Sequence, residues 1–180
     1  MMTTPENPIP DEQQNGKELF YSDLVQQAES LITTSLPLVT NLSNIAALIH
    51  NALNDQNRPI NWTGFYLTDH VKNRLILGPF QGRVACTVIT MGKGVCGTAA
   101  AFHKPIVVEN VHHFKGHIAC DSASESEIVI PLMLANVCLG VLDIDSTTLS
   151  QFDEYDLKGL EAIVTILVSK WNSFEKNSLV

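Results

Sequence analysis

The settings of the cysteines indicate where this chain could carry out thiol chemistry. Cys96 lies in the glycine-rich segment GKGVCG (92–97), which opens a predicted helix. A helix N-terminus and the adjacent Lys93 both favour a thiolate, so these features predict a reactive cysteine. The alternative is that the small residues of this segment only allow close helix packing.

The other three cysteines lie in different settings. Cys120 ends the segment GHIAC (116–120) of a predicted polar loop, where a cysteine is seldom a core residue. Cys86 falls on a predicted short strand, where burial alone would account for it. Cys138 is predicted to be a small hydrophobic residue on a buried strand.

A zinc site is a competing interpretation of the histidine-rich loop. His117 and Cys120 form an i, i+3 pair, with two further histidines close by in the sequence. Structural zinc sites usually show two tight ligand pairs. Nine residues separate Cys86 from Cys96, so a second tight pair is missing. We therefore expect no metal and no other cofactor, and we interpret the histidines as residues that satisfy loop backbone groups.

Carboxylates on two predicted strands could supply proton donors. In the segment VLDID (141–145), strand alternation places Val141, Asp143 and Asp145 on one face and Leu142 and Ile144 on the other. Glu127 begins the preceding strand and could join them. Carboxyl groups crowded near apolar walls have raised pKa values, which keeps a proton available near neutral pH. The alternative is that Asp143 and Asp145 only end the strand in a turn.

An aromatic pair shares the face of these acids if the strands are neighbours. Trp62 and Tyr66 lie four residues apart on the first predicted strand and hence on one face, with Phe65 on the other. Two rings opposite three acids could hold a small cationic or methylated group. Ordinary core packing is the alternative.

Composition excludes several classes of protein. The 180 residues are 45% hydrophobic and 17% charged, which rules out a wholly disordered chain, a collagen-like repeat and a disulfide scaffold. A net charge of −8 disfavours nucleic-acid binding. Residues 1–16 lack the apolar core of a signal peptide, and no apolar run is long enough for a membrane span. We therefore expect a cytoplasmic or nuclear protein without membrane contact, in which stable disulfides are uncommon.

The order of predicted elements indicates an α+β fold. Helical periodicity predicts two helices before residue 54, a short one at 94–102 and a last one from about 152 to 174. Strands are predicted at 62–67, 74–77, 85–89, 105–108, 127–133 and 137–145, with Gly78 and Pro79 ending the second. Helices at both ends and strands between them predict an antiparallel sheet with the N- and C-terminal helices packed on one face. Residues 1–16 are predicted to be a flexible tail, and 17–176 a single domain.

Several motifs of the chain resemble those of the free methionine-R-sulfoxide reductases. They are ILGPFQG (76–82), the AC pair at 85–86, GKGVCGTAA (92–100), GHIACD (116–121), SEIV (126–129) and LDIDS (142–146). The resemblance spans roughly residues 60–152. The chain departs from the family pattern at Asn110 and Lys115, both in the long loop, and Cys138 lies outside the family's cysteine pattern.

The resemblance implies a GAF-like domain that pairs as a homodimer and reduces free methionine-R-sulfoxide, with thioredoxin regenerating the enzyme. It implies that Cys120 is the nucleophile, with Cys86 and Cys96 as resolving or auxiliary thiols. Thiolate chemistry alone would name Cys96 as the attacking residue. A substrate pocket is implied at the aromatic and acidic positions Trp62, Tyr66, Glu127, Asp143 and Asp145.

This activity would explain the residue types. A thiolate attacks the sulfoxide sulfur while a protonated carboxyl group, Glu127 or Asp143, donates to the poorly leaving oxygen. The resulting sulfenic acid condenses with a second cysteine to a disulfide, which an external dithiol opens. The chief alternative is a non-catalytic GAF-type sensor of a small molecule or of redox state. A zinc-binding interaction module is a third interpretation.

Overall fold

The computed structural model of the protein describes residues 11–118 and 120–175. Its strands are β1 (Ile60–Asp69), β2 (Arg74–Gly82), β3 (Val88–Thr90), β4 (Ile106–Val108), β5 (Ser126–Leu134) and β6 (Val137–Ser146). Its helices are α1 (Asp11–Leu31), α2 (Leu38–Asp55), α3 (Gly94–Phe102) and α4 (Glu154–Ser169), with short 3-10 helices at Val111–His113 and Trp171–Ser173. None of the helices in this part of the chain has the length and apolar character needed to cross a membrane.

The six strands form one antiparallel sheet in the order β3-β2-β1-β6-β5-β4. Phe65, Ile128, Leu142 and Ile144 pack on one face with the buried sides of α1, α2 and α4. The other face packs against α3 and carries a second, smaller apolar cluster. The predicted α+β fold, with the terminal helices on one face, is thereby confirmed.

Two predicted strand boundaries are wrong. Gly78 and Pro79 do not end the second strand, because both residues face the single residue Phe65 of β1 in a β-bulge and pairing resumes at Phe80. Proline is tolerated here because β3 pairs with β2 only as far as Ile76, which leaves this part of β2 at the sheet edge on that side. The third strand is Val88–Thr90 rather than 85–89, so residues 85–87 belong to a loop.

The predicted tail is corrected at its C-terminal end. Helix α1 begins at Asp11, inside the segment predicted as a tail over 1–16. The last proline of that segment is Pro10, and the Glu and Gln residues that follow it are good helix formers. Residues 1–10 and 176, where the other predicted domain boundaries fall, lie outside the described residues.

A buried carboxylate joins the terminal helices to the sheet. Asp156 of α4 is fully buried; its Oδ1 lies 2.7 Å from an Arg58 nitrogen and accepts a hydrogen bond from the Tyr21 hydroxyl. Its Oδ2 pairs with the Lys17 ammonium at 2.9 Å, and Asp153 caps the same helix. Burial by itself would raise the pKa of Asp156, but Arg58 and Lys17 outweigh it and lower the pKa. The network thus fixes α1, α4 and the connection before β1.

Helices α1 and α4 approach each other so closely that one contact requires glycine. A Cβ atom at Gly159 of α4 would overlap the ring of Tyr21 in α1. By contrast, Gly16 of α1 is exposed and has no atom within 4 Å of an added Cβ.

Gly159→Ala is expected to destabilise the protein by about 1–3 kcal/mol, because the Tyr21 ring must shift, although alanine is the better helix former. The matched control Gly16→Ala is expected to stabilise it by about 0.5–1 kcal/mol. Urea unfolding followed by circular dichroism measures both changes. A Gly159→Ala variant as stable as Gly16→Ala would contradict the close packing of the two helices.

Candidate active site

A cavity lies between α3, the face of the sheet that α3 covers and two loops, and its volume is about 30 Å³. That is room for roughly two water molecules. Seven of the eight residues singled out from the sequence lie in its wall, namely Trp62, Tyr66, Cys96, Cys120, Glu127, Asp143 and Asp145. The eighth, Cys86, is bonded to Cys120. The chain thus brings all eight together, while their individual roles stay predictions.

Strand register explains why the acids meet. Asp143 and Asp145 lie two residues apart on β6, and the alternating residues Leu142 and Ile144 point into the opposite core. The neighbouring strand β5 pairs Glu127 with Asp145, which places the third carboxyl group on the same face. The predicted alternation along this strand is therefore confirmed.

The aromatic pair positions a loop as well as lining the cavity. The rings of Trp62 and Tyr66 stack with their centroids 5.8 Å apart. The Trp62 indole N–H donates to the carbonyl of Arg83 at 3.1 Å, and the Tyr66 hydroxyl donates to the carbonyl of Cys86 at 3.0 Å. The two residues share one face, as the sequence predicts, and they tie the loop that carries Cys86 to β1.

A disulfide joins Cys86, in the loop between β2 and β3, to Cys120, in the loop before β5. The Cα atoms of the two residues are 5.6 Å apart although 34 positions separate them in sequence. The assignment of Cys86 to a strand is therefore wrong, because the residue lies in a loop where its sulfur reaches Cys120. Cys96 and Cys138 are free and buried, and Cys138 is a buried strand residue as predicted.

Cys96 does not have the environment of a reactive thiolate. It is 3% exposed, and burial together with Asp143 and Glu127 raises the pKa of its thiol well above the ordinary value. Its thiol points to a Glu127 carboxyl oxygen 4.0 Å away. Lys93 at the start of α3 is exposed to solvent. The expectation that the helix start and Lys93 lower this pKa is therefore wrong, since burial and two acids dominate.

The three acids shift one another's titration. Burial, followed by the charges of Asp143 and Asp145, raises the pKa of Glu127 well above its ordinary range. Burial raises the pKa of Asp143 only to about 6, because hydrogen bonds with Cys96 and Glu127 stabilise its ionised form. Burial and Asp143 also raise the pKa of Asp145. The surroundings therefore favour the protonated forms of Glu127 and Asp145, whereas hydrogen bonds limit the rise in the pKa of Asp143.

One carboxyl oxygen has no partner. Oδ1 of Asp143 is buried and accepts no hydrogen bond in the described structure. A buried, unpaired acceptor costs free energy, and an N–H donor from a ligand would satisfy it.

His117 and Ser124 are two polar residues of the cavity wall that were not among the predicted site residues. His117 places its Nε2 atom 3.6 Å from a Glu127 oxygen, and burial together with the nearby His112 lowers its pKa, which favours the neutral ring. Ser124 is 4% exposed and lies in the same wall. The GHIACD motif contains His117 and could have indicated it, whereas no sequence signal distinguishes Ser124 from other loop serines.

The same wall contains a group that could hold a metal ion. One ligand atom each from Cys96, Glu127 and Asp143 lies within 4.8 Å of the others. Within the described residues, the loop histidines first considered for zinc do not form such a group with Cys120, whose sulfur is in the disulfide.

The chain is similar to known proteins over most of its length. The GAF domain family matches residues 37–168. The chain is 46% identical over 152 residues to the free methionine-R-sulfoxide reductase of Escherichia coli, covering 84% of this chain and 88% of that protein. It is 43% identical over 154 residues to the Saccharomyces cerevisiae protein of the same name, covering 84% and 86%.

Solved structures give the same relationship. The free methionine-R-sulfoxide reductase of Neisseria meningitidis, solved in complex with its substrate, superposes with a TM-score of 0.82 and 40% identity. The superposition covers 96% of this chain and 97% of the other. The chain therefore belongs to the GAF domain family and, within it, to the free methionine-R-sulfoxide reductases.

Proposed function

We propose that this protein reduces free methionine-R-sulfoxide to methionine at the cavity on the α3 face, with Cys120 as the attacking thiol. The observation that carries the proposal is the pairing of Cys120 with Cys86 beside three crowded acids and two stacked rings. A thiol, a retained proton and a second thiol are what a sulfoxide needs to lose its oxygen.

The reaction proceeds in two balanced steps. The Cys120 thiolate attacks the sulfoxide sulfur, and the sulfoxide oxygen is protonated. Transfer of this oxygen to the Cys120 sulfur leaves methionine and a cysteine sulfenic acid. The thiol of Cys86 then attacks the sulfenic sulfur and displaces water, which forms the disulfide present in the structure. Two electrons and two protons from a dithiol restore both thiols.

Accessibility favours Cys120 over Cys96 as the nucleophile. Cys120 lies in an exposed loop position, whereas Cys96 is 3% exposed and its neighbouring acids disfavour the thiolate. The role that fits Cys96 is that of a buried hydrogen-bond donor to the carboxyl group of Glu127.

The three acids would divide the remaining tasks. Glu127 donates the proton to the sulfoxide oxygen, because burial and the neighbouring acids raise its pKa and so favour its protonated form. Asp143 pairs with the substrate ammonium through its free oxygen. The charge of Asp145 helps to keep the proton on Glu127. Trp62 and Tyr66 hold the S-methyl group against their stacked rings.

The disulfide state cannot carry out the reaction. The Cys120 sulfur is bonded to Cys86, so this bond must open before Cys120 can attack methionine sulfoxide. We assign that step to thioredoxin in the cytoplasm, with the protein acting as a homodimer. A nuclear pool stays a prediction.

Turnover should be specific for the free R epimer. An assay of methionine formed with dithiothreitol is expected to show activity on free L-methionine-R-sulfoxide, and at least about 100-fold less on the S epimer and on a peptide-bound sulfoxide. The reason is that a peptide bond removes the ammonium that Asp143 would bind. No turnover of any of the three by folded, reduced protein would reject the reductase and favour a GAF-type sensor.

Single cysteine variants should separate attack from resolution. In one turnover without added reductant, Cys120→Ser is expected to form no methionine, while Cys86→Ser forms about one equivalent and stops as a sulfenic acid, detected by dimedone labelling. Cys138→Ser, a buried cysteine remote from the disulfide, is the control and should behave as wild type. Methionine formed by Cys120→Ser but not by Cys96→Ser would instead assign the attack to Cys96.

Glu127→Gln should lower turnover and raise the stability of the protein at higher pH. It is expected to lower turnover by about 100-fold or more, as loss of a general acid does. The folded protein binds the Glu127 proton more tightly than the unfolded chain does, so wild-type stability falls as pH rises above the ordinary glutamate pKa of 4.5. The glutamine variant escapes this loss, and its stability advantage should therefore grow from about pH 5 to about pH 8.

Urea unfolding at the two pH values tests this expectation. Glu109→Gln, an exposed glutamate directly after β4, controls for the chemical change itself. An advantage for Glu127→Gln that is constant or shrinks as pH rises would show that Glu127 is not held protonated by its surroundings.

A further inference from the structure

Recycling of the Cys86–Cys120 disulfide requires a partner to reach it, and the surface around the bond contains two exposed apolar side chains. Val84 is 88% exposed and lies two residues before Cys86. Ile118 is 39% exposed and lies two residues before Cys120. Both stand at the rim of the same cavity, so they flank the disulfide from its two loops.

The Val84 side chain is presented by a loop whose backbone is fixed. The carbonyl groups of Arg83 and Cys86, on either side of Val84, accept hydrogen bonds from the side chains of Trp62 and Tyr66. Both donors are buried side chains of β1. The exposed valine therefore belongs to a surface that is formed before any partner arrives, which lowers the entropy cost of binding.

Ile118 is supported in a different way. Its side-chain carbons lie 3.2 and 3.3 Å from the position that a Cβ would take on Gly94, at the start of α3. Glycine at this position lets the isoleucine pack on the helix while 39% of it stays exposed. Isolated exposed apolar residues are common on proteins. Val84 and Ile118 are different because each lies two residues before one of the two cysteines of the disulfide.

We propose that Val84 and Ile118 form the docking surface for the protein that reduces this disulfide, a dithiol reductase with an apolar surface around its reactive cysteine. The inference rests on the proposed function. One partner thiolate attacks a sulfur of the Cys86–Cys120 bond, which forms a mixed disulfide and releases the other cysteine as a thiol. The partner's second thiol then attacks the mixed disulfide, so that the partner leaves oxidised and this protein regains both thiols.

Changing the reductant isolates the docking step. Turnover of methionine-R-sulfoxide is measured with dithiothreitol, which needs no docking surface, and with thioredoxin kept reduced by its reductase and NADPH. Val84→Asp is expected to raise the KM for thioredoxin by about tenfold, as loss of an apolar anchor does, with turnover in dithiothreitol unchanged. Val84→Ile keeps the apolar surface and should retain the wild-type KM for thioredoxin.

Val71→Asp is the matched control. Val71 is 93% exposed in the turn between β1 and β2. Its replacement by aspartate should change turnover with neither dithiothreitol nor thioredoxin. An unchanged KM for thioredoxin in Val84→Asp would overturn the proposal, and so would wild-type turnover with dithiothreitol but none with thioredoxin. A higher KM for the sulfoxide in dithiothreitol would also overturn it, because Val84 would then serve the substrate. Absence of turnover by the wild type in dithiothreitol would instead reject the reductase itself.

Discussion

The burial of three carboxyl groups on one face of the sheet is the constraint on which the site depends. Each of Glu127, Asp143 and Asp145 has a raised pKa, which means that the folded protein disfavours their ionised forms. Asp156 on the helical side is equally buried, yet its pKa is lowered by Arg58 and other cations. The charge of a buried aspartate is thus avoided by protonation at the site, whereas on the helical side it is balanced by neighbouring cations. Only the first arrangement leaves a proton to donate.

The two faces of the sheet divide stability from chemistry. The helical face buries the larger apolar cluster and the Asp156 network, and so supplies the free energy that the acids cost. The α3 face is smaller and includes the cavity. Strand alternation connects the two, because every second residue of β1, β5 and β6 supports the core while its neighbours face the site.

Residues on regular strands could be predicted from the sequence, whereas residues fixed by loops could not. Period-two alternation placed Asp143 and Asp145 on one face and Trp62 and Tyr66 together, because it depends only on local geometry. The Cys86–Cys120 contact could not be predicted from residue spacing, because the disulfide joins two loops. Hydrogen bonds from Trp62 and Tyr66 hold the loop of Cys86 in place, and no spacing rule encodes them. The β-bulge opposite Phe65 could not be predicted either, because a Gly-Pro pair ordinarily ends a strand.

Cys96 shows why a local rule for thiol reactivity fails when the surroundings carry charge. Its place in the first turn of α3 favours a thiolate, an effect that falls off within one helical turn. Burial opposes the thiolate most strongly, and the nearby acids, Asp143 first, add to this effect in a site from which solvent is nearly excluded. A second negative charge there is therefore opposed more strongly than the helix favours it. This supports the proposal that the attacking thiol is Cys120, which reaches the cavity from its exposed loop.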